Sequence, residues 1–209
     1  ALFSRGLFCR FILMKGISIT LFLLVGLFAN AQDEERYAIT GGITASTLSG
    51  TNTSINKPGF TAGFTYTIFN NPTLGKQIGV QFIQKGAFDP PNRDKGDFSF
   101  YRLTENYIHV PVSVLYHRKG INYRAGLSLG YLLSFKEEND RGTFPTSEPF
   151  RKYEVAAVIG ASLKLNDKLS FDANLSNSLI PVKLYPSGGV WYNRGHYNTT
   201  LSLGLSFSL

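Results

Sequence analysis

Polar and apolar positions alternate with period two along several long segments of the chain. The clearest is residues 196–209, HYNTTLSLGLSFSL, where large, mostly apolar side chains take the odd positions and small polar ones the even positions. Successive side chains of a β-strand point to opposite faces. The pattern therefore predicts a strand with one apolar face.

Eight such segments predict an all-β fold without an amphipathic helix of useful length. They cover residues 36–48, 59–69, 76–87, 99–117, 121–135, 152–165, 168–180 and 196–209. Three short connections, including RKG at 118–120 and a two-residue turn at Asn166 and Asp167, alternate with four longer polar loops. Short turns on one side and long loops on the other are typical of outer-membrane barrels. We therefore predict one eight-stranded antiparallel transmembrane β-barrel.

The two faces of the segments distinguish a membrane barrel from a soluble one. A soluble barrel turns its apolar face inward, whereas a membrane barrel turns it toward lipid. The polar face here is small, with residues such as Gly126, Ser128 and Gly130, and a soluble exterior would carry more Lys and Glu. We predict that the bulky face contacts lipid, with aromatic girdles near the strand ends. The girdle candidates are Tyr116, Tyr123, Phe135, Tyr153, Tyr197 and Phe207.

A few charged residues occupy the alternate strand positions of the polar face, which we predict to point inward. They are Lys85, Glu105, Arg124, Glu154, Lys164 and Asp172. An eight-stranded barrel is about wide enough for side chains alone, so these charges must pair or be hydrated. We predict a small, filled lumen rather than an open diffusion pore.

The N-terminal residues have the features of a secretory signal peptide. After Met14 come Lys15, the 12-residue apolar-rich stretch 17–28, and the small-residue cleavage motif at 29–31. A membrane-spanning helix would need ~20 apolar residues. We expect residues 1–13 to be an upstream extension, 14–31 a signal peptide cleaved after Ala31, and 32–209 the barrel domain.

Cleavage after Ala31 would lower the net charge. It would remove Arg5, Arg10 and Lys15, together with the single Cys9, and leave 18 basic and 14 acidic residues, so the charge would fall from +7 to +4. A dispersed charge of this size does not indicate nucleic-acid binding. An exported chain without cysteine contains no disulfide.

The sequence predicts no catalytic or metal site and no cofactor. His109 and Ser113 lie on the same face of one strand, but residues four apart on a strand are ~13 Å apart, too far for a catalytic Ser-His hydrogen bond. Asp89, Asp94 and Asp97 do not have the spacing of an EF-hand loop. We therefore expect a non-enzymatic protein.

The loop before the last strand contains a candidate binding patch. Its residues are Tyr185, Trp191, Tyr192 and Arg194. Aromatic and Arg side chains are enriched in binding hot spots, and they also suit the interface with lipopolysaccharide.

Four stretches resemble the PorT-like, "porin family" outer-membrane barrels of Bacteroidetes-type bacteria. They are GVQFIQKGA (79–87), YIHVPVSVLYH (107–117), YRAGLSLGYLLSFK (123–136) and the final strand. In that family a strand ending in Gln-Lys-Gly precedes a loop, and a Tyr-x-x-x-Pro strand and a Gly-rich strand follow. Here the matching positions are Gln84, Lys85 and Gly86, then Tyr107 and Pro111, then Gly126 and Gly130.

The chain end resembles the C-terminal signal that the barrel assembly machinery reads during insertion. The matching residues are Ser202, Gly204, Phe207 and Leu209, with Leu209 standing where aromatic residues are commoner.

The resemblance implies a monomer in the cell outer membrane, surrounded by outer-membrane lipid and lipopolysaccharide. Its expected role is structural or in surface interaction through its extracellular loops. A PorT-like component of the type IX secretion or gliding apparatus, working through a protein partner, and a small-solute channel are the alternatives.

Overall fold

The computed structural model describes residues 34–49, 57–69, 71–91, 100–140, 142–143, 150–184 and 195–209. The upstream extension, the signal peptide and the loop patch at 185–194 lie outside these residues. The predictions for them are therefore not addressed by the structure.

Eight long strands and two two-residue strands make up the described secondary structure. The long strands are β1 Glu34–Ser49, β2 Lys57–Phe69, β3 Leu74–Asp89, β4 Tyr101–Arg118, β5 Ile121–Asn139, β7 Tyr153–Lys164, β8 Leu169–Ser178 and β10 Gly195–Ser208. The short ones are β6 Gly142–Thr143 and β9 Lys183–Leu184. Each predicted segment lies within four residues of a long strand at both ends.

The long strands close into one antiparallel barrel. They pair in the order β1-β2-β3-β4-β5-β7-β8-β10, and β10 pairs back onto β1 from Ala38↔Ser208 to Ser49↔Tyr197. β6 pairs with the end of β5, and β9 pairs with the start of β10. The predicted fold class, an eight-stranded closed barrel, is confirmed.

The outer surface of the barrel is apolar and exposed. Ile43 is 66 % exposed and Leu129 is 60 % exposed, although both are large aliphatic residues in the middle of long strands. Their inward neighbours Thr44 and Ser128 are buried. A contiguous band of exposed aliphatic side chains is what a hydrocarbon environment requires.

The short turns lie together at one end of the barrel, here called the short-turn end; the opposite end is the long-loop end. Lys119 and Gly120 both have positive φ, at 52° and 78°, as a two-residue type I′ hairpin requires. The predicted two-residue turn at Asn166 and Asp167 is wrong, because β7 ends at Lys164 and β8 begins at Leu169. The Asn166 side chain instead accepts hydrogen bonds from the backbone N–H groups of Lys168 and Leu169.

A β-bulge changes the inward and outward phase of β5. Asn106 pairs with Ser134, but the next residue of β4, Tyr107, pairs with Leu132. Leu133 is the inserted residue, so the phase reverses beyond it, and Ser134 and Lys136 face outward while Glu137 is buried. Simple alternation predicts instead that Leu133 and Phe135 share the lipid-facing side. Phe135 instead pairs with the inward-facing Glu105, and its ring packs on that of the buried Phe150 at 5.0 Å. Phe135 is still 40 % exposed, but the bulge places it on the inward-facing side of β5, so its predicted place in an outer girdle is wrong.

The seam between β1 and β10 depends on a pair of glycines on the inner face. Gly42 pairs with Gly204, and a Cβ on Gly42 would lie 2.6 Å from the Cα of Gly204 and even closer to the Leu203 carbonyl oxygen. Both atoms are backbone, so no side-chain rotation relieves the contact.

We predict that Gly42→Val destabilises the barrel by about 1–3 kcal/mol through overpacking, measured by urea unfolding in lipid vesicles. Gly41→Val is the matched control, because a Cβ on this outward-facing neighbour would meet nothing within 4 Å. Equal stability of the two variants would contradict the seam described here.

Candidate functional site: the barrel interior

Most of the charged residues that alternation predicts to face inward do lie in the barrel interior. Lys85, Glu105, Glu154 and Asp172 are buried, and the Arg124 side chain is only 10 % exposed. These residues come from β3, β4, β7, β8 and β5, so the closed barrel brings together side chains that are distant in sequence.

Lys164 does not lie in the lumen. Its side chain is 44 % exposed at the end of β7, and its ammonium lies 2.9 Å from the Asp167 carboxylate in the following turn. This hydrogen bond lowers the pKa of Asp167 below its usual value. The prediction of Lys164 as a lumen charge is therefore wrong, because Lys164 is the last residue of β7 and its side chain lies at the rim of the barrel.

Lys85, His109 and Glu154 form the centre of a buried polar network. The Lys85 ammonium lies 3.1 Å from both carboxylate oxygens of Glu154, and His109 Nε2 lies 3.2 Å from the same carboxylate. Ser178 also donates to Glu154, and His109 Nδ1 lies 2.8 Å from the Ser128 hydroxyl. The carboxylate thus accepts hydrogen bonds from Lys85 and Ser178, as a buried charge requires. His109 Nε2 lies beside it without a well-aligned hydrogen bond among the described residues.

Gly130 provides the space that His109 occupies. A Cβ on Gly130 would lie 2.6 Å from His109 Nε2. The imidazole therefore lies over the backbone of β5 and reaches from Ser128 on that strand to Glu154 on β7. Sequence reasoning could not find these partners, because they become neighbours of His109 only through strand pairing.

The order Ser128, His109 and Glu154 matches the connectivity of a hydrolytic triad, but its setting does not suit catalysis. The Ser128 side chain is buried, and the carboxylate is already paired with Lys85. The adjoining cavity has a volume of about 70 Å³, which is large enough to hold ordered water. The contacts among Ser128, His109 and this carboxylate are explained by the need of buried polar groups for partners.

A second ion pair, Arg124–Asp172, lies toward the short-turn end. Arg124 Nη2 donates to Asp172 at 2.8 Å, and Ser206 donates to the other carboxylate oxygen. The pair lines both the 70 Å³ cavity and a second cavity of about 60 Å³ nearer the short turns. Arg124 Nε and Asn174 Oδ1 are buried, both residues border the larger cavity, and neither atom has a hydrogen-bond partner within the described part of the chain. Ordered water in that cavity would satisfy both.

Glu105 is held differently from the two ion pairs. One carboxylate oxygen accepts a 2.9 Å hydrogen bond from Asn198, and the other has no partner among the described residues. Lys57, predicted as a loop residue just before its strand, is also buried and donates to the Lys85 carbonyl.

An apolar cluster closes the lumen at the long-loop end. Its residues, called the apolar plug below, are Leu48, Ile83, Ala87, Leu103, Tyr107, Leu132, Phe150 and Val182. Phe150 and Val182 lie outside the long strands and are tied together by the hydrogen bond from Arg151 N to the Val182 carbonyl. Glu137, which accepts from Tyr101 and Lys183, adds a polar layer beside the plug.

The residues predicted as a C-terminal insertion signal lie on β10 and at its end. Ser202 and Gly204 face the lumen, while Phe207 and Leu209 are exposed on the outside. Their role in insertion stays a prediction.

Neither a metal centre nor a spanning helix is present in the part of the chain that the structure describes. No three or more His, Cys, Asp or Glu side chains are grouped so that they could hold a metal ion. Within the same residues, no helix has the length and apolar composition needed to cross a membrane.

Known structures of bacterial outer-membrane proteins have a similar fold. The crystal structure of Ail from Yersinia pestis aligns with a TM-score of 0.51 at 15 % identity, covering 84 % of this chain and 99 % of Ail. Neisserial surface protein A aligns with a TM-score of 0.51 at 12 % identity, covering 83 % and 97 % of the two chains. Identities this low establish the fold alone. A search of the curated proteins finds no match.

The closed barrel, its apolar exterior and its filled polar interior define an eight-stranded transmembrane β-barrel. The family described as "Outer membrane protein beta-barrel domain" matches residues 30–183. The match covers more than half of the chain, so the protein belongs to this family of outer-membrane barrels. In barrels of this class the short turns are periplasmic and the long loops extracellular, and the two ends are named accordingly below.

We predict that Lys85→Met destabilises the barrel by about 3–5 kcal/mol, because it leaves the Glu154 carboxylate buried without its cation. The double variant Lys85→Met/Glu154→Met removes both charges and should recover part of the loss. Urea unfolding in lipid vesicles measures both effects. A double variant less stable than the single one would show that Glu154 contributes mainly through His109 and Ser178.

Proposed function

We propose that the protein is a non-enzymatic, non-conducting outer-membrane barrel that acts through its extracellular end. Its role is structural or in surface interaction. Its partners are the surrounding outer-membrane lipid and lipopolysaccharide, the barrel assembly machinery during insertion, and a surface ligand or protein. The apolar plug is the observation that carries this proposal.

The plug argues against a solute path. Ala87, Leu103, Tyr107 and Val182 are fully buried, and dry apolar constrictions of this kind exclude water and ions. Below the plug, the Lys85–Glu154 network and the Arg124–Asp172 pair fill more of the lumen. A small-solute channel is therefore not the favoured function.

The extracellular end offers a rigid base for surface loops. Phe150 and Val182 anchor two connecting segments in the plug, and Lys183 on the second segment is held by Glu137. Ligand-binding loops are commonly displayed on such fixed supports. The patch of Tyr185, Trp191, Tyr192 and Arg194 directly follows this anchored segment in sequence, and it remains our candidate for contact with a ligand.

The PorT-like role in type IX secretion or gliding rests on the sequence resemblance alone. The matched family is no narrower than outer-membrane barrels in general. We therefore do not favour this alternative over the broader role.

We predict that the refolded protein produces no steady conductance in planar bilayers and no swelling of sugar-loaded liposomes. An open porin reconstituted at the same protein-to-lipid ratio is the positive control. A different migration of boiled and unboiled samples on a gel verifies that the barrel is folded. Stable conductance steps from the folded, heat-modifiable protein would overturn the proposal.

A further inference from the structure

The outer surface of β3, β4 and β5 changes character row by row toward the extracellular end. Phe82 and Ile108 pair within the apolar band. In the next outward row, Gln84 donates to Asn106 at 3.1 Å, and Asn106 donates to Ser134 at 3.0 Å. This uncharged polar ladder follows directly on the apolar row, so it marks the outer edge of the hydrocarbon.

Two cations lie on the same surface beyond the ladder. Lys136 pairs with Thr104, one row above, and Arg102 pairs with Glu138, two rows above. Both cations are exposed. The Arg102 guanidinium lies over the Phe88 ring, 5.2 Å from its centroid, which holds the long side chain in place.

The spacing of the rows places these cations at the level of lipid head groups. Two residues advance ~6.6 Å along a strand, and a strand tilt of ~40° reduces this to about 5 Å along the membrane normal. Head-group regions extend roughly 5–8 Å beyond each side of the hydrocarbon core. Lys136 therefore lies about 5 Å above the ladder, within the head-group region, and the Arg102 backbone lies about 10 Å above it, just outside that region. The long side chain of Arg102 can reach back to the phosphates.

We propose that Arg102 and Lys136 form a binding site for a phosphate group of an outer-leaflet glycolipid. Guanidinium groups bind phosphate through paired N–H donors, and the Lys ammonium adds a compact positive charge. The site depends on the outer-membrane location and the sidedness of the barrel, and it does not depend on whether the lumen conducts.

The surface beneath the cations argues for a lipid rather than another anion. Ile108 and Leu133, directly below the ladder, are apolar and face outward. An occupant that contacts both levels needs an acyl chain against Ile108 and an anionic group against Arg102. A phosphorylated glycolipid has both, whereas a free anion or a soluble protein lacks the chain.

Glu138 is the acidic neighbour of the site. Its carboxylate lies 2.7 Å from the Lys136 ammonium, and this hydrogen bond lowers the pKa of Glu138. The Lys136 side chain is 56 % exposed, and exposed ion pairs of this kind are weak. Lys136 has three N–H donors, so it can keep Glu138 and still donate to a phosphate.

The test compares binding of lipid A carrying its two phosphates with binding of its phosphate-free counterpart, by native mass spectrometry of the refolded full-length barrel. We expect Arg102→Gln/Lys136→Gln to weaken binding of the phosphorylated lipid by roughly tenfold, equivalent to ~1.4 kcal/mol. The control, Lys164→Gln/Lys168→Gln, removes two cations at the periplasmic end and should bind like the wild type.

Three results would overturn the proposal. They are equal binding of the two lipids to the wild type, unchanged binding by the extracellular double variant, and an equal loss in the periplasmic control. The wild-type comparison holds even if the double variant fails to fold. Bilayer conductance has no bearing on this outcome, so the proposal fails independently of the proposed function.

Discussion

The need to satisfy every backbone N–H and C=O group in lipid governs the whole molecule. A sheet in hydrocarbon has no water to cover an open edge, so β10 must return to β1. Closure with eight strands then sets the width of the interior, and the width decides what the interior can hold. The narrow interior accounts for the glycines at the seam and beneath His109, for the small hydroxyl residues and for the paired charges.

The two ends of the barrel solve different problems. At the periplasmic end, tight turns close each hairpin and small polar side chains leave room for water beside Arg124. At the extracellular end, the strands continue past the membrane and an apolar cluster replaces the missing lipid as a source of stability. The Lys85–Glu154 network lies between these regions, where side chains are shielded from bulk water and an isolated charge would be costly.

Much of this arrangement could be predicted from the sequence because alternation is a local property. The eight strands, their lipid-facing sides and the inward positions of Lys85, Glu105, Arg124, Glu154 and Asp172 follow from parity alone. The partners of His109 could not be predicted, since strand register determines which residues of β5 and β7 approach it. Lys164 was misplaced because parity carries no information on where a strand ends, and Phe135 because parity does not reveal an inserted residue.

The bulge between β4 and β5 reverses which positions of β5, odd or even, face outward. Below it, odd-numbered residues such as Leu129 face the acyl chains and even-numbered residues such as Leu132 face inward; above it, the even-numbered Lys136 is exposed and the odd-numbered Glu137 is buried. Substitutions in β5 beyond the bulge can therefore change the cell-surface end of the protein without changing which residues face lipid in the membrane-spanning part.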